Sequence, residues 1–296
     1  MNENGLVAVI CSANRPQMLH DSVLSVVRQS EPCSVVISVP AESDVTQETR
    51  NLPGISVLVG PRGSAVQRNY ALRSIRHRPE CVLFLDDDVE LDENYVREIL
   101  ACYRRHPSVA IVNGRNLAHG IYSAGTVDRS LSRRLIEDYR RNHPEVMTAE
   151  PGAVTPLSTN YGCRMSIRGS LLGKVNFDER YVLYAFLEDL DFALQCRPSG
   201  TIVESDNALG VHLEVASGRM DLKRRGYSEV INPMYLWSKK IGFPLRSAVL
   251  GSARRTARSA VAAVREGDGQ RLAGNLIAWM DAARGEFRPE KILEIS

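Results

Sequence analysis

The run Cys81-Val82-Leu83-Phe84-Leu85 leads directly into Asp86-Asp87-Asp88-Val89. The apolar residues do not alternate with polar ones and include no Gly or Pro. The run therefore reads as a short strand buried on both faces. Such a strand belongs in the middle of an α/β sheet, where ligands gather beyond the carboxyl ends of the strands. The acids stand at that end. Three adjacent carboxylates repel one another unless a cation or solvent neutralises them. Two readings fit. In one, Mg²⁺ or Mn²⁺ takes the oxygens and shares them with substrate phosphates. In the other, a solvated acidic turn caps the next helix.

The chain around this run alternates strands with helices. Leu6–Cys11 is a buried strand, followed by the turn Ser12-Ala13-Asn14-Arg15-Pro16. Leu19, Val23, Val26 and Val27 then fall at helical spacing, with Pro16 suited to the first turn. Val35–Val39 and Ile55–Val59 read as the second and third strands, with a polar loop carrying Glu42, Ser43 and Asp44 between them. Gly60, Pro61 and Gly63 mark a turn. A helix is expected from Ser64 to Arg76, then the central strand, a helix from Asp92 to His106 and a strand over Val109–Gly114. A helix near 128–142 follows. This alternation predicts a doubly wound, mostly parallel sheet.

A chain of 296 residues suffices for one large α/β domain or two smaller ones. A net charge of +2 gives no general attraction to nucleic acid, and no basic strand surface interleaved with aromatics appears. The cysteines, Cys11, Cys33, Cys81, Cys102, Cys163 and Cys196, are scattered and form no Cys-x-x-Cys pair. They read as reduced thiols, which points to a cytoplasmic location rather than to a disulfide framework or a zinc site. The N-terminus lacks the pattern of a signal peptide, and no stretch has the length and apolarity of a membrane span.

A second acidic cluster sits in Val182–Arg197, where Glu188, Asp189 and Asp191 lie among apolar residues. Leu190, Ala193 and Leu194 are spaced to face a core. Carboxylates at a helix start are favoured by the helix dipole. One facing a substrate hydroxyl can act as a general base. His212 follows the strand-like segment Gly200–Val203, and a lone histidine is more often structural than metal-binding.

Taken in order, these signals resemble the inverting nucleotide-sugar glycosyltransferases of family 2, over residues 6 to about 242. The turn Ser12–Pro16 resembles the family's opening. Gly63 with Gln67-Arg68-Asn69-Tyr70-Ala71 is similar to its segment before the central strand, and Asp86-Asp87-Asp88 to its Asp-x-Asp motif. Asn160–Met165 resembles an acceptor-side stretch, imperfectly. Glu188-Asp189 resembles the Glu-Asp motif, His212 the late metal-binding histidine, and Asn232–Lys239 the closing segment, with Ile231 where Arg is common.

The resemblance implies a GT-A fold, Rossmann-like, with a catalytic domain over 1–242 and a C-terminal helical extension over 243–296. It also implies transfer of a sugar from a nucleoside-diphosphate sugar to an acceptor hydroxyl with inversion. The acceptor would be a glycan, a lipid-linked molecule or a small molecule. On this basis Asp88 and His212 hold Mn²⁺ or Mg²⁺, and Asp86 lies near the ribose or a metal-bound water. Ser12, Asn14, Arg15, Asp44, Arg68 and Asp87 line the donor side, with Asp87 turned away from Asp86 and Asp88 by strand alternation. Asp189 is the base and Glu188 orients the acceptor.

Ser217 to Gly226 is a basic segment bracketed by glycines. It can close over the donor and bring Arg219 or Lys223 to the diphosphate; a solvated loop is the plainer reading. In the extension, Leu245, Val249, Ala253, Ala257, Val261 and Val264 recur at helical spacing among Arg246, Arg254, Arg255, Arg258 and Arg265. Packing of that apolar stripe onto the catalytic domain or a second subunit is the favoured reading. Peripheral contact with the inner face of a membrane is the other. After a break at Gly267-Asp268-Gly269, Leu272, Leu276, Ile277 and Met280 mark a second helix. Two other functions fit the same chain. One is a sugar-1-phosphate nucleotidyltransferase, disfavoured by the absence of a Gly-rich loop after the first strand. The other is a non-catalytic sugar-nucleotide or glycan-binding module that keeps the fold alone.

Overall fold

A computed structural model describes residues 5–117, 128–148, 150–157, 160–183, 185–213 and 221–295. The chain divides into two compact units. The first comprises Met1–Arg62, Gln67–Asn176 and Cys196–Gly218, and the second Gly63–Val66, Phe177–Gln195 and Arg219–Ser296.

The first unit is built on one sheet. Its strands are β1 (Leu6–Cys11), β2 (Ser34–Val39), β3 (Ile55–Val59), β4 (Cys81–Asp86), β5 (Val89–Leu91), β6 (Val109–Asn116), β7 (Val154–Pro156), β8 (Arg164–Arg168) and β9 (Thr201–His212). The order is β3-β2-β1-β4-β8-β6-β9-β5, with β7 also on β9. The pairings make β1, β2, β3, β4, β6 and β9 run one way, and β5, β7 and β8 the other. The sheet is thus mostly parallel, as expected, with antiparallel β8 inserted beside the central strand. Residues 81–85 are 0–1% exposed, which fits a strand flanked by β1 and β8.

Helices Pro16–Val27 and Tyr95–Arg105 bury apolar stripes, Leu19, Val23 and Val26 in one and Val96, Ile99 and Leu100 in the other, in the core shared with β1, β2 and β4. Burying side chains of this size contributes about 1.5–3 kcal/mol each. Helix Arg129–Asn142 begins one residue after its cap, Asp128, whose carboxylate accepts from Leu131 N. It is tied down by charge. Arg129 and Arg133 each lie 2.9 Å from the buried Glu90, and Arg140 lies 2.8 Å from the buried Asp92.

Two strand expectations fell short of the observed lengths. The segment read at 200–203 is the start of a strand reaching His212, and the strand read at 109–114 runs to Asn116. Both continue because β6 and β9 pair with each other along most of their length.

The second unit is helical. Leu222–Ser238, Leu245–Glu266 and Gln270–Ala283 are its long helices. The first and third approach closely at two glycines. A Cβ on Gly226 would collide with the carbonyl of Arg271, and one on Gly274 with that of Lys223. Gly226 is therefore a packing residue inside a helix, which corrects its reading as one bracket of a mobile loop. Lys223 lies in the same helix, and Arg219 falls outside the described residues. Pro233, inside that helix, has no N–H for the carbonyl of Glu229. The hydroxyl of Ser252 donates to that carbonyl instead, at 3.3 Å.

Helix Leu245–Glu266 corrects one alternative of the sequence reading, that its apolar stripe packs onto the chain's own catalytic domain. Its buried positions are Ala248, Ser252 and Ser259. The stripe read as the packing face is exposed: Leu245 45%, Val261 51%, Val264 88%. Small Ala and Ser side chains let the backbones come close, so they, and not the larger apolar residues, face inward. All six cysteines are free, and Cys81, Cys102 and Cys196 are buried. Among the described residues no helix is long and apolar enough to cross a membrane.

Candidate active site

In the first unit, the carboxyl end of β4 carries the acids. β5 follows after two residues and pairs antiparallel with the end of β9, so that Val89 stands opposite His212. The carbonyl of Asp88 accepts from Leu213 N at 2.8 Å, closing the same ladder. This register brings a histidine 124 positions downstream against the acidic turn. His212 Nε2 lies 3.0 Å from Asp88 Oδ1 and 3.7 Å from Asp86 Oδ2. Asp86, Asp88 and His212 each offer one ligand atom, all within 4.8 Å of one another.

Neighbouring side chains hold this cluster in place. Arg68 Nη2 donates to Asp86 Oδ1 at 3.1 Å and lies 3.4 Å from the carbonyl of Gly162. The preceding Gln67 donates to the carbonyls of Ser12 at 3.1 Å and Ser38 at 2.7 Å, joining the ends of β1 and β2. The Gln-Arg pair thus links three strand ends. Asp87, in the turn after β4, lies outside this ligand cluster and is bound by other side chains. It accepts from Ser12 Oγ at 2.5 Å and lies 2.6 Å from Arg15 Nη2. Burial pushes its carboxyl up, to about 6, against the opposing pull of Arg15 and Ser12. Arg15 reaches to 3.9 Å from Asp88 as well, and its side chain is 25% exposed.

Asp44 is buried. Its carboxylate accepts from the backbone N–H of Asn14 at 2.8 Å and of Ala41 at 3.2 Å. The first of these bonds tethers the turn after β1, where Asn14 takes a left-handed φ of 60°, a region asparagine tolerates better than most residues. Of the donor-side residues read from sequence, the structure therefore gathers Asp86, Asp88, His212 and Arg68 in one cluster. Ser12, Arg15 and Asp87 form the adjoining one, and Asn14 and Asp44 shape the turn. Asp86 sits in the ligand cluster itself, with its Oδ2 3.7 Å from His212 Nε2.

In the second unit, helix Glu188–Cys196 starts at the acids, as expected. Glu188 is buried and accepts from Ser64 Oγ. Asp189 is partly exposed and accepts from Leu190 N at 2.8 Å. Asn232 Nδ2 donates to the carbonyl of Phe186 at 2.7 Å, fixing the chain just before the helix.

Sequence reading assigned no part to Asp191, which is fully buried two residues after Asp189. Lys239 Nζ lies 2.5 Å from Asp191 Oδ1 and 2.8 Å from Asp178 Oδ2, and Tyr235 OH donates to Asp178 at 2.7 Å. For Asp178, burial pushes the carboxyl up, but the bonds from Lys239 and Tyr235 outweigh it and hold it below its usual value. For Asp191, burial prevails over Lys239 and holds the carboxyl above its usual value. One signal was present in the sequence: Asp191 sits at a position where an apolar residue would pack, and a buried acid needs a cation.

The sequence model of the family described as glycosyl transferase family 2 matches residues 7–153. No curated protein matches the chain in sequence. Among solved structures, the chain is similar to TarS of S. aureus in a fragment covering residues 1–349. The two are 15% identical with a TM-score of 0.53, over 95% of this chain and 92% of that one. It is likewise similar to the mannosyltransferase PcManGT from Pyrobaculum calidifontis, solved in complex with GDP-Man and Mn²⁺. Here identity is 15% and the TM-score 0.53, over 97% of this chain and 82% of that one. At such identity these likenesses concern the fold.

Proposed function

The chain belongs to glycosyl transferase family 2, and from that premise we propose that it transfers a sugar from a nucleoside-diphosphate donor to an acceptor hydroxyl with inversion, using a divalent cation. The observation that carries this reading is the Asp86–Asp88–His212 cluster at the carboxyl end of β4. Its chemistry suits Mn²⁺ or Mg²⁺, with two carboxylates and one imidazole. His212 Nε2 and Asp88 Oδ1 lie 3.0 Å apart, and with Asp86 they would hold such an ion. Bound there, the cation supplies charge neutralisation for the departing diphosphate.

The chain's own residues do the rest. Arg68 orients Asp86, and Gln67 holds the two strand ends beside it. Ser12 and Arg15 bind the carboxylate of Asp87, so that Asp86 and Asp88 are left to the cation. The guanidinium of Arg15, partly exposed beside Asp88, adds positive charge for the donor phosphates. Asp189 takes the proton of the acceptor hydroxyl, and a single displacement by that oxygen inverts the anomeric carbon. Glu188, bonded to Ser64, orients the acceptor.

The test is calorimetric titration of UDP, GDP and dTDP, with CMP as control, with and without Mn²⁺. GDP and Mn²⁺ come first, because the mannosyltransferase neighbour was solved with GDP-Man and Mn²⁺. One diphosphate should bind tightly only with metal, and Asp88→Asn should abolish that dependence. Asp189→Asn should keep donor binding while transfer falls about 10²–10⁴-fold. If no nucleotide binds under any condition, the proposal is wrong. Binding without transfer to any acceptor would leave a sugar-nucleotide-binding module.

A further inference from the structure

Helix Leu245–Glu266 turns its larger apolar residues outward. Of the ten large apolar side chains that stand exposed among the described residues, eight lie between 245 and 293. Five of these are on this one helix: Leu245, Val249, Leu250, Val261 and Val264. At 100° per residue, Leu250, Ala257, Val261 and Val264 fall within about 60° of one another and form a single outward stripe. All four are exposed.

The charge on this face is one-sided. Arg246, Arg254, Arg258 and Arg265 are exposed, and the helix carries no acid before Glu266. Among the described residues none of these four arginines takes part in an ion pair, whereas Arg104, Arg133, Arg140 and Arg180 elsewhere on the surface all do. Arg254 and Arg258 are four residues apart, a spacing at which like charges destabilise a helix. The helix therefore tolerates repulsion that an i, i+4 acid would have removed. Arg258 and Arg265 also line a shallow groove of about 370 Å³ with Ala257, Val261, Ala262 and Glu266.

We propose that this face docks onto an anionic lipid surface. Guanidinium groups beside an exposed apolar stripe match a layer of phosphates lying over an apolar interior. Charge also argues against a second copy of the chain as the occupant. A two-fold interface sets a patch against itself, which would press the unpaired arginines of both copies together. The inference does not depend on the transfer reaction, and its test reads binding alone.

The full chain is sedimented with vesicles of phosphatidylcholine, with and without one third phosphatidylglycerol, at low and high salt. Binding is expected only to the anionic vesicles, weakening as salt shortens the screening length. Each arginine removed should cost about fivefold in partitioning, so Arg254→Gln, Arg258→Gln and Arg265→Gln together should lose on the order of a hundredfold. Val261→Ser with Val264→Ser should also weaken binding, and should do so at high salt as well. Because these positions are exposed, the variants should keep the wild-type circular dichroism spectrum. Equal recovery with both vesicle types, or none with the anionic ones, overturns the proposal. Self-association lost on Val261→Ser, without vesicle binding, would instead assign the face to a second copy.

Discussion

Replacing Lys239 with methionine removes the cation set between Asp178 and Asp191. Asp178 keeps the hydroxyl of Tyr235, and its side chain is 18% exposed, so water can take up part of its charge. Asp191 has no such outlet. It is fully buried, its Oδ2 accepts from Gln195 at 2.9 Å, and its Oδ1 faces Lys239. Removing one partner of a buried ion pair costs about 3–5 kcal/mol. With only one of the two carboxylates stranded, the lower end, about 3 kcal/mol, is expected. Both tryptophans of the chain, Trp237 and Trp279, lie in the second unit, so their fluorescence in urea follows the unit that contains the network. A loss of about 3 kcal/mol should lower the midpoint by roughly 1–2 M. In an Asp191→Asn background the same replacement should cost only about 1 kcal/mol, leaving a coupling near 2 kcal/mol. The pH dependence has a definite sign. Asp191 already titrates above its usual value, and losing Lys239 raises it further. An acid raised in the folded state destabilises above its unfolded pKa, so the deficit should be full at about pH 7 and shrink as pH falls toward about 4. Equal stability of Lys239→Met and wild type, or an unchanged cost in the Asp191→Asn background, would refute the reasoning.

Other substitutions test packing in the same unit. Ser252→Ala leaves the carbonyl of Glu229, already abandoned by Pro233, without its hydroxyl donor; a loss of about 1–3 kcal/mol is expected in the same fluorescence assay. Gly274→Ala drives a methyl into the carbonyl of Lys223 and should cost about 1–3 kcal/mol or more, whereas Gly242→Ala, with open space around it but a φ of 99°, should show only the smaller cost of its backbone. Burial pushes the carboxyl of Asp281 up, but bonds from Lys291 at 2.8 Å and Tyr227 at 2.9 Å outweigh it and hold it below its usual value. Its contribution is therefore present above about pH 4 and lost as pH falls through the folded value, so Asp281→Asn should flatten the acid limb of the stability curve.

The sheet was legible because buried strands announce themselves by composition. Residues 81–85 could hardly be anything else, and the alternation of strands and helices up to residue 116 gave every parallel strand except β9. β8 was not legible. Arg164-Met165-Ser166-Ile167-Arg168 carries charges at both ends, and Arg164, 0% exposed, donates to the carbonyl of Gly114 at 3.1 Å and to Cys163 Sγ at 3.4 Å. The bond to Gly114 is tertiary and leaves no periodic trace. His212 could be named from a resemblance, but its distance to Asp88 follows from the register of β5 on β9, which no local pattern encodes. The C-terminal helix was legible as a helix while its orientation was not. Hydrophobicity favours burying Leu and Val, yet close approach favours Ala and Ser, and here close approach decided.

The segment before Glu188 shows local preference giving way to the fold. Leu183, Ala185 and Leu187 have φ of 59°, 53° and 73°, left-handed values that cost a non-glycine residue about 1–2 kcal/mol each. Glycine at any of the three would remove that cost, yet none is glycine. The side chains supply a reason. Leu183 packs against the cluster of Tyr227, Val230, Ile231 and Ala278, and Ala185 belongs to that of Tyr181 and Tyr235. Burying a leucine is worth about as much as the left-handed backbone costs, so the strained path is affordable only with those side chains in place. The same path brings the carbonyl of Phe186 to Asn232 and starts a helix at Glu188, whose own N–H is taken up by the carbonyl of Ala185 at 3.0 Å, as that of Asp191 is by Leu187. Strain that persists under such packing is typical of positions where geometry matters more than stability. Glu188 and Asp189 are thus set by the packing of the residues before them, as well as by the buried Asp191–Lys239 pair after them.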